Sequence, residues 1–145
     1  MHARRTPLAF LVVIVIIMLG VAVWISLPFF EEPKLKAGLI SSRPEKVSPG
    51  DTFEVVVQVL NEGGGSVKDV YIHLEMPEGF TSQVTGNNTR TVGPNSVGPH
   101  DGFGQGFVII VSKNVPPGSY AARVVVTADN ISPHIIPLEI QVVAD

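Results

Sequence analysis

The stretch Thr52 to Leu60, TFEVVVQVL, decides the fold. Phe53, Val55, Val57 and Val59 occupy alternate positions, with Thr52, Glu54 and Gln58 between them. Successive side chains of an extended chain point to opposite faces, so this period of two places one face in a core and leaves the other mostly in water. Pro49-Gly50 stands before the run and Asn61 to Gly63 after it, residue types that set or accept turn geometry.

The same pattern recurs along the chain. Val70, Ile72, Leu74 and Met76 alternate with Tyr71, His73 and Glu75, and Phe107, Ile109 and Val111 form the next strong run. Tyr120 to Thr127 and Ile135 to Val143 follow, Leu35, Ala37 and Leu39 supply a first strand, and Ser82 to Val92 has room for one or two weak ones. Beyond residue 30 no segment keeps helical spacing over three turns, and 12 prolines and 14 glycines would interrupt one. The expected fold is all-β, an immunoglobulin-like antiparallel β-sandwich of about seven strands. Pro137 has no N–H to give a ladder, so the last strand should lie at an edge or carry a bulge.

Composition narrows the chemistry. The 145 residues have room for one domain and a membrane segment. There is no cysteine, which rules out disulfides, thiolate nucleophiles, thiolate metal sites and an acylated N-terminal cysteine. The formal net charge is -3 and the basic residues form no stripe, so neither nucleic acid nor nucleotide is an expected partner.

Leu8 to Leu27, LAFLVVIVIIMLGVAVWISL, carries no charge. As a helix its twenty residues would span about 30 Å, the thickness of bilayer hydrocarbon. Gly20-Val21-Ala22 offers a possible signal cleavage site after Ala22, but the apolar run continues past it, so a retained transmembrane helix is expected over residues 8–29. Residues 1–7 are then a short basic tail, 30–34 a linker, and 35–145 the sandwich. Arg4 and Arg5 before the helix favour a cytoplasmic N-terminus and an extracytoplasmic β-domain at the cell membrane. Ala22 and Ser26 form a small-xxx-small pair, the candidate for packing against a neighbouring helix.

Residues 47–80, VSPGDTFEVVVQVLNEGGGSVKDVYIHLEMPEGF, and 115–129, VPPGSYAARVVVTAD, resemble the CARDB and NEW3-type adhesion-related modules. These are immunoglobulin-like domains of bacterial and archaeal surface proteins. Pro49-Gly50, Asn61 to Gly63, Pro77 to Gly79 and Pro117 to Tyr120 match the family's turns in order. The resemblance spans most of residues 35–145. It implies a fold and carries no functional residue with it. Each turn also has its own physical sense, and Tyr120 is placed to bury its ring while its hydroxyl bonds nearby backbone as a tyrosine corner.

Candidate sites are few. His2, His73, His100 and His134 fall in a tail, an outward strand position and two loops, with no pair at metal-ligand spacing, and no metal or other cofactor is expected. His100 and Asp101, beside Gly102, Gly104 and Gly106, read as a flexible hairpin loop. Gly102-Phe-Gly-Gln-Gly leads into a strand and so lacks the helix N-terminus that a dinucleotide needs. Ser66 and Ser112 have no identifiable base, and Glu75 and Glu78 read as solvated strand-end charges. No catalytic set results, and the chain is not expected to be an enzyme. Asn87 and Asn130 head N-x-S/T sequons in expected loops, with Pro133 weakening the second.

An apolar anchor, a short linker and a plain β-module fit a non-catalytic accessory or scaffolding subunit. Its partners would be the lipid bilayer and other membrane-protein subunits or cell-envelope components. The alternative is an independent surface module binding a glycan or adhesion ligand through Gly63 to Ser66 and Pro94 to Gly106.

Overall fold

The structure is a computed structural model that describes residues 32–40 and 46–144. The expected transmembrane helix, the Ala22 cleavage point and the helix-packing pair Ala22 and Ser26 all lie outside the described residues. Within those residues no helix is long and apolar enough to cross a membrane.

The described chain is all-β. Its strands are β1 (Leu35–Leu39), β2 (Thr52–Asn61), β3 (Val67–Glu75), β4 (Phe80–Ser82), β5 (Thr89–Val97), β6 (Gly102–Val111), β7 (Gly118–Ala128) and β8 (Ile131–Val142). They form two four-stranded sheets, ordered β1-β2-β6-β4 and β5-β3-β7-β8, and every strand pairing is antiparallel.

The alternation in the sequence becomes the core. Phe53, Val55, Val57 and Val59 of β2 are buried, as are Phe107, Ile109 and Val111 of β6. They meet Val70, Ile72 and Leu74 of β3 and Val124 and Val126 of β7 from the other sheet. These side chains are mostly branched at Cβ, with few rotamers to lose on burial, which suits a pleated, close-packed face.

Pro137 lies opposite Arg123 in β8, an edge strand with a register irregularity between Val126 and Ala128 on its partner. Val47 N–H donates to Gln141 O and Val143 N–H to Val47 O, both 2.9 Å, so the backbone of these odd residues faces away from β7. The regular pairing from His134 to Val142 carries that parity to Pro137. Its missing donor therefore falls on the free edge, where it discourages strand addition.

Three expectations need correction. The strands number eight, because the weak region resolves into the short β4 and the nine-residue β5. Pro94 to Val97 belongs to β5 and Gly102 to Gly106 to β6, so the expected flexible hairpin contracts to the turn at Gly98–Asp101. β5 carries Gly93 at φ 138, where a Cβ would sit 2.6 Å from Val70 O, and only glycine lets the strand pass there. Finally, His134 lies within β8, paired with Val126, and not in a loop.

Phe107 is fully buried, with Arg90 above its ring at 5.2 Å. Phe107→Ala should cost about 3–5 kcal/mol of unfolding free energy, measured by urea titration with unchanged m-value.

Candidate functional site

The most organised polar site is at one end of the sandwich, around Asn61. This last residue of β2 is 1% exposed, on the side of the strand that faces the core. Its Oδ1 accepts from the N–H groups of Lys34 at 3.2 Å and Gly63 at 3.0 Å. Its Nδ2 donates to Gly65 O at 2.6 Å, Gly98 O at 3.0 Å and Val97 O at 3.3 Å. One buried amide thus satisfies three backbone segments that would otherwise bury unpaired groups: the incoming chain, the β2–β3 turn and the β5–β6 turn.

Gly63 completes the seat. A Cβ there would lie 2.2 Å from Glu32 O and 2.6 Å from Lys34 N. The incoming chain therefore lies directly on the turn. Outside it, Glu62 takes Lys36 at 2.9 Å and Lys34 at 3.8 Å, and the Lys36 hydrogen bond holds its carboxyl below the usual carboxylate range. His100 N–H donates to Gly63 O at 3.3 Å, so the turns at residues 61–66 and 98–101 do meet. Backbone groups of both turns are bonded to one another and to Asn61.

A second polar cluster covers the outer face of β3 and β7. Arg123 donates to Glu75, and His73 Nε2 lies 3.2 Å from the other Glu75 oxygen. His73 Nδ1 is 2.5 Å from the Thr91 hydroxyl. Glu75 is thus a strand-end charge that stays partly exposed while it pairs with Arg123. The hydrogen bond from Arg123, then the charges of Arg123 and His73, keep its carboxyl below its ordinary range, and Glu75 raises Arg123 in return. Glu78 remains exposed in its turn.

The tyrosine corner is present. Tyr120 O–H donates to Pro116 O at 2.6 Å, and its ring meets Phe80 with centroids 5.1 Å apart. A groove of about 490 Å³ runs between β1 and the β7–β8 pair past Tyr120, and another of about 570 Å³ lies by Pro77, Val115 and Pro116. Among the described residues, each is lined by one carboxylate, Glu139 or Glu78, and by no histidine. In the first, Ser119 donates to Glu139 at 2.5 Å without the imidazole that would turn a hydroxyl into a nucleophile.

Among the described residues no three His, Asp or Glu side chains gather as metal ligands. His100 is exposed in a turn and Ser112 is exposed after β6. Asn87 and Asn130 are both exposed, the first in the β4–β5 turn and the second, at φ 57, in the β7–β8 turn.

Strand order, core and tyrosine corner define an immunoglobulin-like sandwich. The chain belongs to the family described as NPCBM-associated, NEW3 domain of alpha-galactosidase, which matches residues 47–129, from Val47 through β7. No curated protein matches it. Among solved structures, the CARDB domain of a Pyrococcus furiosus protein, in complex with di-metal ions, aligns with a TM-score of 0.57 at 21% identity, over 80% of this chain and 98% of that one. A family 123 glycoside hydrolase from Clostridium perfringens aligns with a TM-score of 0.58 at 12% identity. E. coli alpha-2-macroglobulin does so with 0.57 at 11%. The matches cover 77% and 76% of this chain but only 27% and 7% of those two, so the sandwich is a minor part of each. At such identities the likeness concerns the fold.

Asn61→Ala should cost about 2–4 kcal/mol in urea titration, since it strands buried partners in three segments. Limited proteolysis should cut near Lys34 and Lys36 sooner than in the parent. The Glu75 pair makes a separate prediction. A carboxyl lowered in the folded state adds stability above its unfolded value, near 4.5, and loses it as pH falls through the folded value. Arg123→Met should therefore flatten the decline of the thermal midpoint between about pH 5 and 3.

Proposed function

We propose that this protein is a non-catalytic, membrane-anchored extracytoplasmic accessory or scaffolding subunit of a larger membrane or cell-envelope assembly. The observation that carries the reading is the docking of the incoming chain. Lys34 is bonded to Asn61, and Glu32 to Lys34 lie against Gly63. The expected helix ends at residue 29, so the five residues of the linker, 30–34, connect it to β1. Fully extended, that tether reaches under about 20 Å. A sandwich on such a tether would stay beside the surface in which residues 8–29 are expected to lie. It is suited to bracing neighbouring ectodomains and poorly suited to reaching across a cell wall.

The alternative of an independent ligand-binding module has less behind it. Of its proposed loops, Pro94 to Val97 and Gly102 to Gly106 lie in β5 and β6, and the backbone of the remaining turns is bonded to Asn61 and across to each other.

Extraction from the native membrane in mild detergent, followed by size fractionation and mass spectrometry, tests the reading. Stoichiometric membrane or envelope proteins should travel with the chain. Solitary migration would overturn the accessory role, and release by an alkaline wash would overturn the anchor.

A further inference from the structure

The turn between β4 and β5 presents one of the chain's two N-x-S/T sequons. Asn87 and Asn88 lie in the turn and Thr89 opens β5, all three exposed. The backbone around them is fixed at several points. Ser82 N–H donates to Asn87 O and Gly86 N–H to Ser82 O, both at 2.8 Å, and Asn87 N–H donates to the Thr85 hydroxyl at 3.3 Å. The middle residue is tied to the end of β3: Met76 N–H donates to Asn88 O at 2.8 Å, and Asn88 Nδ2 donates to Met76 O at 3.2 Å. The carboxamide of Asn87 and the hydroxyl of Thr89 are left over, and among the described residues neither has a hydrogen-bond partner. These are the two side-chain groups by which the sequon is defined.

The second sequon, Asn130-Ile131-Ser132, is built differently. Asn130 stands at φ 57, Ile131 and Ser132 already belong to β8, and Pro133 follows them. A proline confines the residue before it to extended backbone, so this triplet cannot fold into a turn that brings its carboxamide and hydroxyl together. The two sequons also lie toward opposite ends of the domain. Asp129 N–H donates to Lys68 O at 3.0 Å, which places Asn130 beside the start of β3, where Val67 pairs with Val97 next to the Asn61 seat of the incoming chain. Thr89 pairs with Glu75, the last residue of β3, about 24 Å along the strand from Lys68.

We propose that Asn87 is an N-glycosylation site and that Asn130 is not. The inference rests on the extracytoplasmic reading above, because the acceptor must meet a glycosyltransferase and its activated sugar on that side of the membrane. The substrate class is an oligosaccharide carried through its anomeric carbon on a lipid phosphate or pyrophosphate. Asn87 Nδ2 bonds to that carbon, the bond from the carbon to the phosphate oxygen breaks with its electron pair leaving on the phosphate, and Nδ2 gives up one proton to a base of the transferase. No oxidant or reductant takes part. The carboxamide has no partner among the described residues, so joining it to sugar breaks none of the bonds that hold the turn. Val84, 68% exposed in the same turn, offers apolar surface to the first sugars. The glycan would stand where β4 and β5, the outer strands of the two sheets, come together, and would screen both edges from strand addition as Pro137 does at β8.

Trypsin separates the two sites, since cleavage after Lys68, Arg90 and Arg123 puts Asn87 on peptide 69–90 and Asn130 on peptide 124–145. In the full-length protein purified from its native membrane, mass spectrometry should find a sugar mass on 69–90 and none on 124–145. Asn87→Gln and Thr89→Ala, each expressed in the native host, should both remove that mass, and Thr89→Ser should keep it. An unmodified 69–90, a sugar on 124–145, or a sugar that survives Thr89→Ala would overturn the proposal. An unmodified chain that resists an alkaline wash of the membrane counts against this site alone and leaves the anchored reading intact. An unmodified chain found outside the membrane fraction removes both.

Discussion

Everything in this domain depends on the contact between its two inner sheet faces. A sandwich without a disulfide cannot restrict its unfolded chain by a cross-link, so the apolar surface removed from water must outweigh the conformational entropy of ordering the chain. Valine dominates that surface, from Val55, Val57 and Val59 on one sheet to Val124 and Val126 on the other. Its stiffness at χ1 lowers the cost of burial and keeps the faces flat enough to interleave. The turns then have only to return each strand in register, which glycine, proline and asparagine do with their own backbone preferences.

The polar sites fit around this constraint. Asn61 occupies a position whose parity points it inward, where a valine would otherwise extend the core. An amide there costs desolvation, which its hydrogen bonds offset by tying the incoming chain and two turns to a single point. The gain is geometric as well as energetic. The start of the domain is fixed relative to its core, as a short tether requires if the position of the sandwich is to matter to a partner.

Strands whose cause is local periodicity were legible in the sequence: Thr52 to Leu60, Val70 to Met76 and the run through Phe107, Ile109 and Val111 appear with the expected faces buried. The edge position of β8 followed from Pro137 alone. Thr89–Val97 was not legible, because it buries only Val97 and carries Gly93-Pro94, so its pairing comes from β3 and not from its own pattern. Gly102 to Gly106 looked like a loop for a related reason: alternate glycines erase the outer half of a strand's signature while Phe103 and Phe107 keep the inner half. The polar clusters were beyond reach, since Asn61 read as a turn residue and Glu75 meets Arg123 only across 48 positions.

The family match makes that distinction useful. It covers β2 to β7 and so includes the valine faces, the tyrosine corner and the Asn61 turn, all of which the domain needs in order to fold. β1 and its Gly38 lie outside it, as does β8. Gly63, Gly93 and Gly102 are held in place by backbone that a Cβ would strike. Gly38 and Gly104 are not, although each could gain strand propensity and stability from almost any other residue. A sandwich that relies on its core alone has little stability to give away at exposed positions.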